Sequence, residues 1–328
     1  MTRITESQMA RGLIGAILAN RENLNKYSNE VSTGLKVHTP GDTNVAGIVS
    51  KYKEALASIK GYRDRISNVR GMLDFQESIV SQSDEVLVRA KEIAAQAANE
   101  TLGSEERFQM SSEIWALRDQ LVSLANSKYQ GKYIYGGADD DDPPFDGQTY
   151  SVPSSGSASI RYTFDSETGT SQTRTVNVTD SVSVTVNTPG STVFNNAIFA
   201  LERLGRSMSG YKTLPASGQP DGTGGAYTFP SEYTTQTQDI KSAMALLDTA
   251  RGTDLTPERV SVGARLRRLD GAASLLDLSE ANSQSVLSSL QDADSAVSIS
   301  NLTQAQNALQ ASLQVTSRVL NLNILQYI

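Results

Sequence analysis

Residues 295–328 hold one charged side chain, Arg318, in 34 positions. Small or apolar side chains nevertheless recur through them at helical spacing, at Leu302, Ala305, Leu309, Leu313, Thr316, Leu320, Ile324 and Tyr327. Steps of three and four average close to the heptad period, so this segment reads as a helix that packs against other helices. Its outward face is expected to be Gln, Asn, Ser and Thr, as at Gln304, Gln306, Asn307, Gln310, Gln314, Asn321 and Asn323, where a solvated helix normally carries Lys and Glu. Burying charge without a partner is costly, so an end helix almost free of charge is expected to be an assembly element.

The other end of the chain carries a matching stripe. Ala10, Leu13, Ile17, Asn20, Leu24, Tyr27, Val31 and Gly34 alternate in steps of three and four, predicting a helix over about 7–34 and a terminal coiled coil made from both ends. The expected assembly contacts are Leu13, Ile17, Leu24, Tyr27, Val31, Leu302, Leu309, Leu313, Leu320, Ile324 and Tyr327. One stripe per helix cannot bury both faces within a single chain, so these helices are expected to order only on assembly.

Between the ends, Val45, Ile48, Tyr52, Ala55 and Ile59 open a stripe that continues through Tyr62, Ile66, Val69, Leu73, Gln76, Val80, Ser83 and Leu87 to Ala97, a helical rod of roughly 80 Å. Ser104, with Glu105 and Glu106 behind it, is expected to cap a third helix. Lys128 to Gly137 reads as a small hairpin or extended segment, and Asp139 to Asp142 followed by Pro143 and Pro144 as a solvated acidic boundary. Strand alternation appears at Val176–Val178 and Val182–Val186, interrupted by one helix over 193–208. Thr256 as cap and Pro257 at the first position predict the start of a final long helix, whose stripe slips in phase between Val297 and Leu302. The predicted fold is mainly α with a β-rich insertion, an elongated helical rod with a terminal coiled coil. Its parts are a terminal domain (1–44 with 291–328), a rod domain (45–138 with 235–290) and a β-rich outer domain (139–234).

Composition narrows the function. Net charge is −7 and the cations are dispersed, which argues against nucleic acid or a membrane as partner. No cysteine is present, so disulfides and thiolate metal sites are excluded. The longest apolar stretch, Gly12 to Ala19, is far short of the ~20 residues that span a bilayer, and no small-x-small cleavage site follows it. Phosphate-binding glycine loops and a Gly-x-Ser-x-Gly elbow are missing. The single histidine, His38, has no local catalytic partner pattern. Asp139 to Asp142 lacks the spacing of a calcium loop, and Asn177-Val-Thr179 matches a glycosylation acceptor only as a three-residue pattern. No catalytic, cofactor or metal site is expected.

Three stretches carry a resemblance: Val31-Ser-Thr-Gly-Leu-Lys-Val-His-Thr-Pro-Gly-Asp42, Leu117 to Asn126 continued through Gly131-Lys-Tyr-Ile-Tyr-Gly136, and Arg259-Val-Ser-Val-Gly-Ala-Arg-Leu266. With these the chain resembles the bacterial flagellin superfamily and, within it, the hook-filament junction proteins. Leu-Ala-Asn, then Gly, an aromatic pair and a closing Gly are similar to the junction proteins. Tyr135 and Gly136 depart from that pattern, standing where a Phe and a small residue are more usual. The resemblance implies a non-enzymatic structural adaptor, exported by the flagellar type III apparatus with its N-terminus retained and located outside the cell. Implied partners are further copies in a tubular ring, the neighbouring hook-associated protein, flagellin, and an export chaperone on the C-terminal helix. A flagellin proper, or a coiled-coil binding or signalling module, are the alternative readings.

Overall fold

The computed structural model describes residues 6–37, 45–137, 140–151, 158–164, 173–212 and 225–325. Its helices are α1 (Glu6–Thr33), α2 (Ala46–Ala97), α3 (Ser104–Ala125), α4 (Gly190–Met208), α5 (Tyr233–Ala250), α6 (Thr256–Gln291) and α7 (Ser295–Leu325). Three two-stranded antiparallel sheets pair β1 (Lys128–Tyr129) with β2 (Lys132–Tyr133), β3 (Phe145–Ser151) with β4 (Ala158–Phe164), and β5 (Thr175–Asn177) with β6 (Ser183–Thr185). The chain divides into two compact units, Met1–Gly61 with Leu276–Ile328, and Tyr62–Leu275. Both borders fall inside long helices, α2 and α6.

In the second unit the heptad stripe of α2 holds: Ile66, Val69, Leu73, Gln76, Val80, Ser83, Leu87, Ala90, Ala94 and Ala97 are all buried. The two polar members are satisfied by hydrogen bonds, from Gln76 Nε2 to the Val186 carbonyl at 2.9 Å and from Ser83 Oγ to the Ile79 carbonyl at 2.7 Å. In the first unit Tyr52 and Ile59 keep the stripe, and it moves by one residue only at Ile48 and Ala55. Ile48 is exposed and Val49 is buried, because Val37, Leu287 and Leu290 pack on that side of α2.

The helix expected within the β-rich insertion, now α4, is central to the core of the second unit. It packs between α3 and α5, burying Val193, Phe194, Ala197, Ile198, Leu201, Leu204 and Met208. Gly205 lets α3 come close, since a β-carbon there would lie 2.8 Å from the Trp115 ring.

Two expected caps are replaced. The N-cap of α3 is Gly103, without a side-chain hydrogen bond, and Ser104 is already helical. Thr256 also has helical backbone angles, because a π-helical turn, Arg251–Leu255, joins α5 to α6. Pro257 has no N–H and its ring crowds the preceding turn, which a wider turn accommodates. The Thr256 hydroxyl donates to the Arg251 carbonyl at 2.9 Å, taking up an acceptor there.

The segment after α3 shows why its residues matter. Gln130 and Gly131 have φ of 52° and 87°, the positive values of a two-residue type I′ hairpin turn between β1 and β2. Asn126 ends α3, and its side chain holds both backbone groups of Phe145. Its Nδ2 donates to the Phe145 carbonyl at 2.8 Å, and its Oδ1 accepts from the Phe145 N–H at 3.0 Å. Asp140 is no solvated linker residue. Burial opposes its ionisation, yet hydrogen bonds from Lys132 and Arg174 hold its carboxyl below the usual range. Asp139 lies outside the described residues.

Tyr135 is fully buried, edge-on to Phe194 with ring centroids 4.8 Å apart, and its hydroxyl has no hydrogen-bond partner among the described residues. Burial pushes its phenol well above the ordinary value, so it stays protonated. Tyr135→Phe removes an unpaired buried hydroxyl and should raise the unfolding free energy by about 1 kcal/mol in denaturant titration. Asn126→Ala leaves the Phe145 backbone groups unpaired and should lower it by about 1–3 kcal/mol in the same assay.

Candidate assembly interface

Helices α1 and α7 pack against each other within the chain. Each helix gives one face to the other and leaves its outer face exposed, as expected of helices with a single stripe. They run antiparallel, as Asn20 meets Ser312 while Glu30 meets Ser298. Where α1 ends, Gly34 takes a positive φ of 72° and the chain crosses to the break between α6 and α7. The Lys36 N–H donates to the Gln291 carbonyl at 2.7 Å and the Ala293 N–H to the Gly34 carbonyl at 2.8 Å. Asp294 caps α7, accepting from the Ala296 and Val297 N–H groups at 2.9 and 3.2 Å. The expected phase slip is therefore a break between two capped helices at 292–294, upstream of Val297.

The inner face of α1 consists of Leu13, Ile17, Asn20, Leu24 and Tyr27, all half-buried, and then Glu30. Val31 is 38% exposed and turned outward. Glu30, 7% exposed, takes the inward place expected for Val31. On α7 the inner face is Ser298, Leu302, Ala305, Leu309, Ser312 and Thr316. Leu313 is 51% exposed and lies off that face. Leu320 and Ile324 belong to α7, but their side chains, and all of Tyr327, lie outside the described residues.

Reading only apolar residues missed Glu30, Ser298 and Ser312. The signal was available: 298, 302, 305, 309, 312 and 316 keep strict alternation of four and three, with serines at two positions.

Apolar side chains flank this seam. At 100° per residue, Val297 and Val315 lie on one flank of α7, Ile299 and Leu313 on the other, and Thr303, Asn307, Gln310 and Gln314 on the far side. All four flanking residues are exposed. On α1, Ile14 on the flank and Leu18 towards the far side are 56% and 60% exposed. Apolar residues beside a two-helix seam are what a helix pair carries when further helices cover it.

Among the described residues no group of His, Cys, Asp and Glu is placed to hold a metal ion, and no helix is long and apolar enough to cross a membrane. His38 lies outside them.

Comparison with known proteins bears on this architecture. The bacterial flagellin N-terminal helical region matches residues 4–140, and the bacterial flagellin C-terminal helical region matches residues 244–328. The chain belongs to the bacterial flagellin superfamily. It is 26% identical over 311 residues to flagellar hook-associated protein 3 of Escherichia coli K12, covering 92% of each chain. It is 24% identical over 127 residues to a flagellin of Clostridium tyrobutyricum, covering 38% of this chain and 33% of that one. Its fold is shared with the crystal structure of Xanthomonas campestris FlgL at TM-score 0.56 and 19% identity, over 72% of this chain and 99% of that one. As a member of this superfamily it is a structural component of the flagellum, and not an enzyme.

If the α1–α7 seam is held by these contacts, Leu24→Ala should weaken it by about 1–2 kcal/mol, the value of a half-buried Leu. Hydrogen exchange should quicken over residues 13–30 and 298–316 and stay unchanged over 79–97.

Proposed function

We propose that this chain is the structural adaptor that joins hook-side proteins to the flagellin filament. Subunits assemble as a tubular ring through α1 and α7. The observation that carries this reading is the set of exposed apolar residues flanking a seam already closed within the chain. Ile14, Leu18, Leu313 and Val315 then meet neighbouring subunits, and burying one such side chain fully stabilises the contact by about 1.5–3 kcal/mol. Val31, turned outward, belongs to the same set, whereas Leu13, Ile17, Leu24, Tyr27, Leu302 and Leu309 act by holding the pair together.

The similarity to hook-associated protein 3 over 92% of both chains supports the junction role over the filament role, because the flagellin match spans a third of its relative. In this reading the protein is exported by the flagellar type III apparatus with its N-terminus retained, and works outside the cell. Its partners are its own copies, the neighbouring hook-associated protein, flagellin, and a chaperone that masks α7 before export. The three-part division into terminal, rod and outer domains belongs to the same proposal.

Leu313→Asp tests the reading, since it places a carboxylate on the outward flank without touching the inner seam. The variant should be secreted in normal amount with unchanged helix content, yet fail to join the flagellum, leaving cells that shed flagellin monomer. Normal incorporation would refute assembly through this flank. Purified protein that polymerises alone into long filaments would favour the flagellin reading.

A further inference from the structure

The second unit contains a buried arginine without a counter-charge. Arg107 is 1% exposed, and its guanidinium is held by neutral acceptors only. Nη1 donates to Gln236 Oε1 at 2.8 Å, and Nη2 donates to the Asn99 carbonyl and to Thr237 Oγ1, each at 3.1 Å. Among the described residues its Nε has no partner, and no carboxylate lies within ion-pair distance. Burial works against such a charge and lowers the pKa of the group that carries it. Buried charges are ordinarily paired, because an uncompensated one is costly.

Arg107 lines a cleft of about 390 Å³ together with Thr101, Gly103, Tyr233, Thr234 and Thr237. Two helices begin at this cleft. α3 starts after Gly103 and α5 after Glu232, and neither N-cap residue supplies a side-chain hydrogen bond. A helix start presents unpaired N–H groups and the positive end of the peptide dipoles. At α5 the Thr234 N–H has no acceptor among the described residues, and its side chain is exposed. We propose that this cleft binds a small oxyanion of the phosphate class, which supplies the counter-charge that Arg107 lacks. The α5 start and the Thr101 and Thr234 hydroxyls are the donors that line the cleft around it. The chain's own acids set a limit on affinity. Glu100 lines the same cleft, and the Glu106 carboxylate folds back on Gly103, 2.6 Å from where a β-carbon would stand there. Glu106 thus serves the start of α3 and leaves that of α5 to the ligand. Neither acid pairs with Arg107, and both repel an anion, so binding should respond to a change of one charge. The site lies wholly within the second unit and holds whichever flagellar structure the chain enters.

Calorimetric titration of the full chain with inorganic phosphate, near neutral pH and with ionic strength matched by chloride, should show one saturable site per chain. Two substitutions at exposed positions should move the affinity in opposite directions without disturbing the guanidinium's own hydrogen bonds. Thr234→Asp places a carboxylate at the start of α5, where a helix favours it, and should weaken phosphate binding at least about tenfold with helix content unchanged in circular dichroism. Glu100→Gln removes a repelling charge and should tighten binding by about three- to tenfold. Glycerol 3-phosphate, titrated in parallel, distinguishes the source of the anion. Tighter binding of the ester assigns the rest of the cleft to the esterified group, and tighter binding of inorganic phosphate assigns the site to the free ion. No saturable binding of either probe by the unmodified chain would overturn the proposal. So would phosphate binding that neither substitution changes.

Discussion

The antiparallel contact between α1 and α7 is the constraint on which the first unit depends. The two helices lie at opposite ends of the sequence, so their shared seam closes a loop that contains nearly the whole chain. Closing so long a loop costs conformational entropy, and that cost must be met by local contacts where the helices leave each other. The structure supplies them as backbone hydrogen bonds at the crossing point, Lys36 to Gln291 and Ala293 to Gly34. A buried cluster of Val37, Ala46 and Val49 packs against Leu287 and Leu290 beside them. The seam itself is thin, with small residues at Ser298, Ala305 and Ser312 and larger ones only half-buried. A thin seam with apolar flanks suits a helix pair that other helices must cover.

The second unit is built on a different principle. Its core is thick, centred on α4 between α3 and α5, with α2 contributing its long stripe. Irregular segments are held to it by polar contacts. Asn126 binds the backbone at Phe145, Gln76 binds the Val186 carbonyl, and Arg107 ties α3 to α5 through Gln236 and Thr237 at 2.8 and 3.1 Å. These contacts explain the Leu-Ala-Asn and Gly-aromatic stretches physically. An asparagine at the end of α3 can satisfy both backbone groups of an incoming strand, and a positive-φ glycine lets β1 and β2 turn in two residues.

Helices with sustained heptad stripes were legible in the sequence to within a residue or two, as α1 and α2 show. The β1–β2 hairpin and the β5–β6 alternation were legible for the same reason, that turn chemistry and a two-residue period leave a local mark. Local reading failed where a residue had two possible roles. Thr256 with Pro257 has the composition of a helix start, yet the chain stays helical through a π-turn whose Leu255 is buried in the same core as α5. Asp140 looked solvated in an acidic run, but Lys132 and Arg174, distant in sequence from each other, converge on it.

The assembly residues divide along the same line. By itself the sequence determined that both ends are helical, nearly uncharged at the C-terminal end, and striped for mutual packing, since those properties depend only on spacing and composition. Only the tertiary structure decided which residues face inward. Val31 and Leu313 carry the right chemistry for the seam, but the strict heptad through Ser298 and Ser312 leaves Leu313 outside it, and Glu30 takes the inward place of Val31. Periodicity defines a stripe about a helix width wide, and a rotation of one residue within it is set by what lies opposite.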